Sequence, residues 1–433
     1  MIRCQAFSLI LLPLLACAPV FAAEPVIPSD PAPRWWKGNT HTHTFWSDGN
    51  DFPEMVADWY RESGYNFLVL TDHNILSRGE KWMPIADIDT RSRGSAYEKY
   101  LDRFGATWVE ARGEGSSLEI RLKPLREVRA LFEQRGEFIM IEGEEISDGW
   151  EGRPIHINAV NLAELATPRH GETVEQTIRN NLLAVMQQAD EAGRPILTHI
   201  NHPNFGWGIT AEEIAGVVEA EFFEIYNGHT GVRNNGDENH ASLERVWDIV
   251  NTLRIAEFGA PPILGVATDD SHSYHGHSLV SITGRAWVCV RATHLTPDTI
   301  VRAMKAGDFY ASSGVELESV DFDTEARRLD IRIAGAPGAR YTTRFIGSRR
   351  GVDLASEPIV DEEGASLPVT RAYSPRVGEI LDEQEGPAPS YTFRGDELYV
   401  RAVVVSSLEP ERPTKEMLRR TAWTQPVGWR PAD

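Results

Sequence analysis

Short apolar runs alternate with amphipathic stretches from about residue 35 to residue 310. The apolar runs have three to six residues, and each suits a buried strand of a parallel sheet. They lie at residues 67–70, 138–141, 155–160, 195–197, 222–225 and 262–266. Apolar positions at helical spacing predict helices between them, at residues 53–63, 125–134, 174–191, 211–218 and 243–252. This alternation predicts an α/β fold with its helices outside, either a closed barrel or an open sheet.

The pattern changes at two places along the chain. Residues 81–118 have no clear apolar period and are rich in Arg, Gly and Ser, which predicts a long inserted loop. After a short helix, predicted to begin at Thr296-Pro297 and to end at residue 306, short alternating strands dominate. We therefore predict an α/β domain at residues 35–312 and a small β-sandwich at residues 315–433.

The first 23 residues have the layout of a secretory signal peptide. Arg3 precedes an apolar run at residues 7–15, and small residues follow. Cys17 in Leu-Leu-Ala-Cys resembles the lipidated cysteine of a bacterial lipobox, and cleavage after Ala22 or Ala23 is the alternative. No later stretch reaches the roughly 20 apolar residues of a membrane span. We expect a periplasmic or secreted protein that is either soluble or anchored by a lipid at Cys17.

Composition restricts both the partners and the chemistry. The chain has 433 residues, of which 41% are hydrophobic and 25% charged, as in ordinary globular proteins. Its formal net charge of -21 argues against a long nucleic acid as substrate, since binding one demands clustered Lys and Arg. Cys289 is the one cysteine well beyond the leader, so we expect neither a disulfide framework nor a cysteine metal site.

Histidines and carboxylates collect at the ends of the predicted strands. Residues that follow the carboxyl ends of strands converge on one pocket in α/β barrels and doubly wound sheets. The residues at these points are His41, His43, Asp48, Asp72, His73, Glu144, Glu145, His156, His199, His202, Asp269, Asp270 and His272. Imidazole with carboxylate suits zinc, manganese or iron, and so many ligands predict two or three divalent ions.

The order of the motifs is specific. His-x-His, Thr-Asp-His, Gly-x-Glu, His-Pro and Asp-x-His, in this order, resemble the PHP (polymerase and histidinol phosphatase) superfamily of metal-dependent phosphoesterases. The resemblance covers residues 35–312, and residues 200–203 and 224–228 are similar to its carbaryl-hydrolase-like branch. It implies a distorted seven-stranded (β/α) barrel that holds up to three metal ions at the carboxyl ends of the strands.

The resemblance also implies a distribution of ligands. One ion would be held by His41, His43, Glu145 and Asp270, a second by Glu145, His156 and His202, and a third by Asp48, His73 and His272. Several members of the superfamily have His where Asp48 stands. Asp72 and Glu145 are the predicted catalytic residues, and Asp72 would act by orienting a ligand.

Some assignments stay open at this point. Glu144, Asp269 and His199 are the alternatives to Glu145, Asp270 and His202. Further histidines near predicted loops at the same end would contact substrate or donate a proton, namely His229, His275 and His277.

The predicted function is hydrolysis of a small phosphoester by attack of metal-bound hydroxide. One alternative is a hydrolase of carboxylic esters, amides or carbamates that uses the same metal centre. The other is a non-catalytic protein that binds metal or carbohydrate on a PHP scaffold.

Overall fold

The apolar runs form strands of one large sheet in the computed structural model, which describes residues 31–430. The predicted signal peptide and Cys17 lie outside the described residues. The strands are β1 (Arg34–Asn39), β2 (Phe67–Leu70), β3 (Lys81–Pro84), β4 (Ala111–Arg112), β5 (Glu119–Leu122), β6 (Ile139–Trp150), β7 (Arg153–Val160), β8 (Leu197–Ile200), β9 (Phe222–Asn227), β10 (Leu264–Thr268), β11 (Trp287–Ala292), β12 (Phe309–Ser312), β13 (Leu317–Asp323), β14 (Arg328–Ile333), β15 (Tyr341–Arg349), β16 (Ser356–Glu357), β17 (Ala372–Tyr373), β18 (Glu379–Glu385), β19 (Ser390–Thr392), β20 (Glu397–Ser406) and β21 (Thr421–Thr424).

The helices lie mainly between the strands of the first part of the chain. They are α1 (Pro53–Glu62), α2 (Ile85–Ser92), α3 (Ala96–Phe104), α4 (Leu125–Phe132), α5 (Val174–Ala192), α6 (Ala211–Gly216), α7 (Leu243–Ala256) and α8 (Pro297–Lys305). Within residues 31–430, no helix is both long and apolar enough to cross a membrane.

The large sheet has thirteen strands, in the order β10-β9-β8-β7-β6-β2-β1-β11-β12-β21-β20-β15-β18. Strands β1, β2 and β6 run parallel to one another, and so do β8, β9 and β10. The predicted α/β class is confirmed in the form of this mixed sheet. The carboxyl ends of these parallel strands therefore meet at one edge, as the predicted site requires.

The prediction of a parallel strand at residues 155–160 is wrong, because β7 is antiparallel to both β6 and β8. Strands β6 and β7 form a hairpin through Glu151 and Gly152, whose φ angles are 47° and 81°. A two-residue connection joins antiparallel strands, whereas parallel strands need a crossover of a dozen or more residues. His156 consequently lies near the beginning of β7, opposite Ser147 of β6, and still reaches the common edge.

Residues 81–118 are not the irregular loop that their sequence predicted. Together with β5 they form a three-stranded sheet, β3-β5-β4, and the two short helices α2 and α3. Ile88 and Tyr100 are buried in their own apolar cluster, and Tyr100 stacks on Phe52 with ring centres 4.0 Å apart. Helices of eight and nine residues have too few turns for a clear period, so only the tertiary packing reveals them.

The β-rich segment continues the large sheet. β21 lies between β12 and β20, with Tyr310 opposite Thr424, and β15 and β18 extend the sheet beyond β20. Strands β13, β14 and β19 form a separate sheet, and one buried cluster joins Leu329 of β14 to Phe345 of β15 and Val400 of β20. The predicted boundary near residue 314 falls between β12 and β13.

A buried ion pair fastens helix α7 to strand β20. The guanidinium of Arg401 donates hydrogen bonds of 2.8 and 2.6 Å to the two carboxylate oxygens of Asp248. The hydroxyl of Tyr399 donates a third, of 2.8 Å, to the same carboxylate. Arg401 is 0% exposed and lies 4.7 Å from the ring centre of Trp247. The pair links the first part of the chain to the β-rich segment through charge as well as packing.

Candidate metal centre

All nine predicted metal ligands converge at the common edge of the strands. Their nitrogen and oxygen atoms fall into four groups, and within each group they lie within 4.8 Å of one another. The groups are His41-His43-Asp270, His41-Glu145-His202, His73-Glu145-His156 and His43-Asp48-His73-His272. Because the groups share His41, His43, His73 and Glu145, they form one continuous cluster.

The first two histidines, His41 and His43, lie just beyond the end of strand β1. The side chain of Asn39, the last residue of β1, accepts a hydrogen bond of 3.0 Å from the backbone N–H of His41. The backbone N–H of His43 donates to the carbonyl of Ser271, also at 3.0 Å. These bonds hold the two imidazole rings with their centres 5.1 Å apart.

Two of the candidate ligands have a backbone conformation that residues other than glycine rarely adopt. The φ angles are 26° at His202 and 48° at Asp270. Such conformations cost on the order of 1–3 kcal/mol each and persist where the surroundings enforce them. At His202 a hydrogen bond of 2.8 Å from its backbone N–H to Glu224 helps to do so.

Glu145 is the centre of the cluster and is 1% exposed. Its two oxygens lie 3.0 to 3.4 Å from five imidazole nitrogens, those of His41, His43, His73, His156 and His202. Two ligand atoms on one tetrahedral zinc ion, each about 2.1 Å from it, lie about 3.4 Å apart. Burial alone would raise the pKa of Glu145, but His41 and His156 hold it well below its usual range.

The ring nitrogens themselves fit a divalent cation. His41 and His43 each have a buried Nε2 atom without a hydrogen-bond partner among the described residues. The other ring nitrogen of His41, Nδ1, lies 2.7 Å from Oε1 of Glu224. One nitrogen held by a carboxylate and the other free is the usual arrangement of a metal-binding histidine.

Glu224 is a further residue of the site that was not predicted from the sequence. Its buried carboxylate also accepts hydrogen bonds from Thr268 Oγ1 at 2.7 Å, and from the His202 backbone and the Asn227 side chain at 2.8 Å. Burial would raise the pKa of Glu224, but the imidazole of His41 lowers it to about 2. The available signal was a carboxylate inside an otherwise apolar strand, Phe-Phe-Glu-Ile-Tyr.

The three alternative ligands belong to none of the four groups. Glu144 points to the opposite face of β6, where it accepts a backbone hydrogen bond of 2.9 Å. Asp269 accepts bonds of 2.7 to 3.0 Å from the backbone of residues 284–286. His199 is buried with its ring centre 6.3 Å from that of His41. The structure thus places Glu145, Asp270 and His202 together, and not their alternatives.

Asp72 lies behind the cluster. Its carboxylate accepts four hydrogen bonds of 2.7 to 3.0 Å, from the backbone and hydroxyl groups of Thr44 and Ser47. These bonds fix the turn that carries His43 and Asp48. Asp72 is therefore placed to position candidate ligands, and in this structure it does not itself face the cluster.

We expect the Glu224→Gln variant to bind divalent metal about 10- to 100-fold more weakly, because the amide cannot hold His41 as the carboxylate does. Zinc titration of metal-free protein measures the change. Glu144→Gln is the matched control, since it alters a neighbouring buried carboxylate that faces away from the cluster. Equal affinities in the two variants would show that Glu224 does not support the site.

A cleft of about 520 Å³ opens over the cluster, a size that suits a small molecule. Phe205, His229 and Val280 line it together with the candidate ligands, and no Lys or Arg is among its described lining residues. His275 and His277 instead contact Lys99 and Ser95 of the inserted segment. Of the three further histidines, the structure therefore brings His229 to the cleft.

The solved structures that resemble this chain include the following two. One is a two-domain protein from Bacteroides vulgatus that contains a predicted PHP-like metal-dependent phosphoesterase. Its sequence is 14% identical, the alignment covers 88% of this chain and 92% of that one, and the TM-score is 0.40. The other is a proposed metal-dependent phosphoesterase from Bifidobacterium adolescentis, with 12% identity, 58% and 94% coverage and a TM-score of 0.29. No family model and no curated protein matches the chain. Both TM-scores lie below 0.5, so neither structure assigns a function to this chain.

Proposed function

We propose that this chain is a PHP-type metal-dependent hydrolase that cleaves a small phosphoester. The observation that carries the proposal is the set of five imidazole nitrogens within 3.4 Å of Glu145, at the spacing of ligands around shared ions. We further propose that β1, β2 and β6 to β10 form the distorted seven-stranded barrel. The parallel bridge between Thr42 and Ser271, which follow the first and last of these strands, supports it.

The residues present would hold two or three divalent ions. One would lie among His41, His43, Asp270 and Glu145, a second among Glu145, His156 and His202, and a third among Asp48, His73 and His272. Zinc, manganese and iron all accept such a mixture of imidazole and carboxylate. When bound, ions at such a site lower the pKa of coordinated water and neutralise charge on the attacked group.

His229 lines the cleft without being a candidate ligand, and it can donate a hydrogen bond to substrate. The backbone N–H of Gly231 donates to its Nδ1 atom at 3.0 Å, so the neutral ring carries its proton on Nε2. Glycine allows this approach, because a Cβ atom at residue 231 would lie 2.6 Å from Cε1 of His229. A protonated ring would turn Nδ1 into a second donor facing the same N–H group. We therefore assign His229 a hydrogen bond to a substrate oxygen, and not the transfer of a proton.

Two substitutions of His229 separate this role from a merely structural one. The amide nitrogen of Gln reaches about as far as Nε2, whereas that of Asn reaches only as far as Nδ1. We expect His229→Gln to retain most of the activity and His229→Asn to lower kcat about a hundredfold, as for the loss of one oxyanion donor. The measurement is kcat for p-nitrophenyl phosphate, and equal losses in both variants would contradict the assignment.

One observation favours a second candidate function. Because no described Lys or Arg lines the cleft, it would also suit an uncharged carboxylic ester, amide or carbamate. The same metal chemistry would serve attack on a carbonyl group.

The decisive experiment combines elemental analysis of protein purified without chelator with three assays. The substrates are p-nitrophenyl phosphate, bis-p-nitrophenyl phosphate and p-nitrophenyl acetate. Two or three bound ions with phosphoester turnover support the proposal, and turnover of the acetate alone moves the function to carbonyl hydrolysis. Bound metal without any turnover would favour a binding protein, and the absence of bound metal would overturn the proposal.

We also propose a periplasmic or secreted location, on the strength of the leader sequence at residues 1–23. Fractionation of cells that express the full chain tests this location. Retention of the uncleaved chain in the cytoplasm would contradict it.

A further inference from the structure

We propose that a second cavity, next to the metal cleft, binds an anionic group such as a phosphate. The cavity has a volume of about 690 Å³ and shares His229 and Val280 with the cleft. Between the two lies a hydrogen bond of 2.8 Å from the backbone N–H of Thr230 to the carbonyl of Val280. A ligand that crosses this contact would reach both cavities.

A buried cation lines the second cavity. Arg285 is 4% exposed, and its guanidinium donates hydrogen bonds to the carbonyl groups of Gly228, Leu279 and Val280. Its Nε atom has no hydrogen-bond partner, and the side chain forms no ion pair with any carboxylate of the described part of the chain. Burial lowers the pKa of Arg285, as expected for a cation removed from water. An anion in the cavity would offset this cost.

Two further cations stand at the rim of the same cavity. Arg233 follows strand β9, and Lys415 lies between β20 and β21 in the β-rich segment. Both side chains are exposed, and neither pairs with a carboxylate within residues 31–430. Glu416 is the carboxylate of the cavity wall, and it accepts a hydrogen bond of 3.3 Å from the backbone of Asn235. In a chain with a net charge of -21, three unpaired cations around one cavity select for an anion.

The two cavities differ in the source of their positive charge, which would be metal ions in the cleft and is Arg and Lys side chains in the second cavity. The described lining of the metal cleft contains no Lys or Arg, whereas three segments of the chain bring cations to its neighbour. The anion is either a second charged group of the substrate, as in a bisphosphate, or a free phosphate. Only the first of these rests on the proposed phosphoesterase function. In both cases the β-rich segment contributes to ligand binding through Lys415.

The test is calorimetric titration of the full-length protein with inorganic phosphate in the presence of a chelator. We compare the double variant Arg233→Ala/Lys415→Ala with the control Arg126→Ala/Arg332→Ala, which removes the same charge from exposed positions outside both cavities. The Kd for phosphate should rise at least about tenfold in the first variant alone, because two charge-assisted contacts are lost. An equal Kd in the two variants would overturn the proposal. Since no metal is present, this result does not depend on hydrolysis.

A second measurement identifies the source of the anion. With metal-loaded protein, the ratio of kcat/KM for a phenylene bisphosphate to that for phenyl phosphate is compared between the two variants. A ratio that falls in Arg233→Ala/Lys415→Ala supports a substrate subsite, and an unchanged ratio with weakened phosphate binding supports a site for free phosphate. If neither compound is hydrolysed, the phosphoesterase proposal fails. The titration alone then shows whether the second cavity binds phosphate.

Discussion

Replacing Glu145 with Gln should lower kcat for p-nitrophenyl phosphate by at least about a thousandfold, since several kcal/mol of transition-state stabilisation depend on the ions that it would hold. Five imidazole nitrogens lie within 3.4 Å of its two oxygens, and Glu145 itself belongs to two of the four ligand groups. The amide keeps the shape of the side chain but loses its charge. Elemental analysis of the same preparation should show fewer bound ions per chain.

Glu144→Gln again provides the matched control, because Glu144 is the next residue in β6 and faces the other way. Burial raises the pKa of Glu144 to about 7, so its carboxyl group is often protonated and neutral. The neutral amide of Gln therefore changes little at this position. We expect this variant to retain its metal. Wild-type turnover and metal content in Glu145→Gln would show that the cluster is not the active site.

Removal of Asp248 should destabilise the protein by about 3–5 kcal/mol, because the fully buried Arg401 loses both of its charged hydrogen bonds and keeps only Glu244, 3.7 Å away, as a counter-charge. The loss also leaves the Tyr399 hydroxyl with only the backbone carbonyl of residue 248, 3.4 Å away, as its acceptor. We expect the melting temperature of metal-free Asp248→Ala to fall by roughly 5 °C. The metal-free form is needed because bound ions would add their own stabilisation.

A double variant shows whether the buried charge of Arg401 causes the loss of stability in Asp248→Ala. In the double variant Asp248→Ala/Arg401→Met no buried charge remains, and a replaced ion pair is often nearly neutral for stability. The double variant should therefore melt well above the single one. Equal melting temperatures would assign the effect to lost packing around Trp247 instead.

The candidate ligands could be predicted from sequence because most of them lie close to a short apolar run that is visible in the sequence. Parallel strands bring their carboxyl ends to one edge, so Asp72-His73 after β2 and Asp270 after β10 were expected to approach each other without any contact information. His156 reached the same edge for a different reason, the hairpin at Glu151. Topology at this level follows from local patterns and turn lengths.

What the sequence could not predict depends on long-range contacts. Glu224 bonds to His41 across 183 positions, and no local pattern distinguishes it from an isolated polar residue in a strand. The pairing of β21 with β12 likewise joins Trp423 to Ala311 with no local signal. The cationic cavity combines Arg233, Arg285 and Lys415 from three distant segments. Each of these features appears only when the chain is folded.

The place of β21 between β12 and β20 has a consequence for biosynthesis. A ribosome that has reached residue 400 has already made β1, β12 and all nine candidate ligands, yet the edge of β12 still has no partner until residues 421–424 emerge. An open edge of this kind pairs readily with other chains. Fragments that end before β21 should therefore associate through this exposed edge of β12.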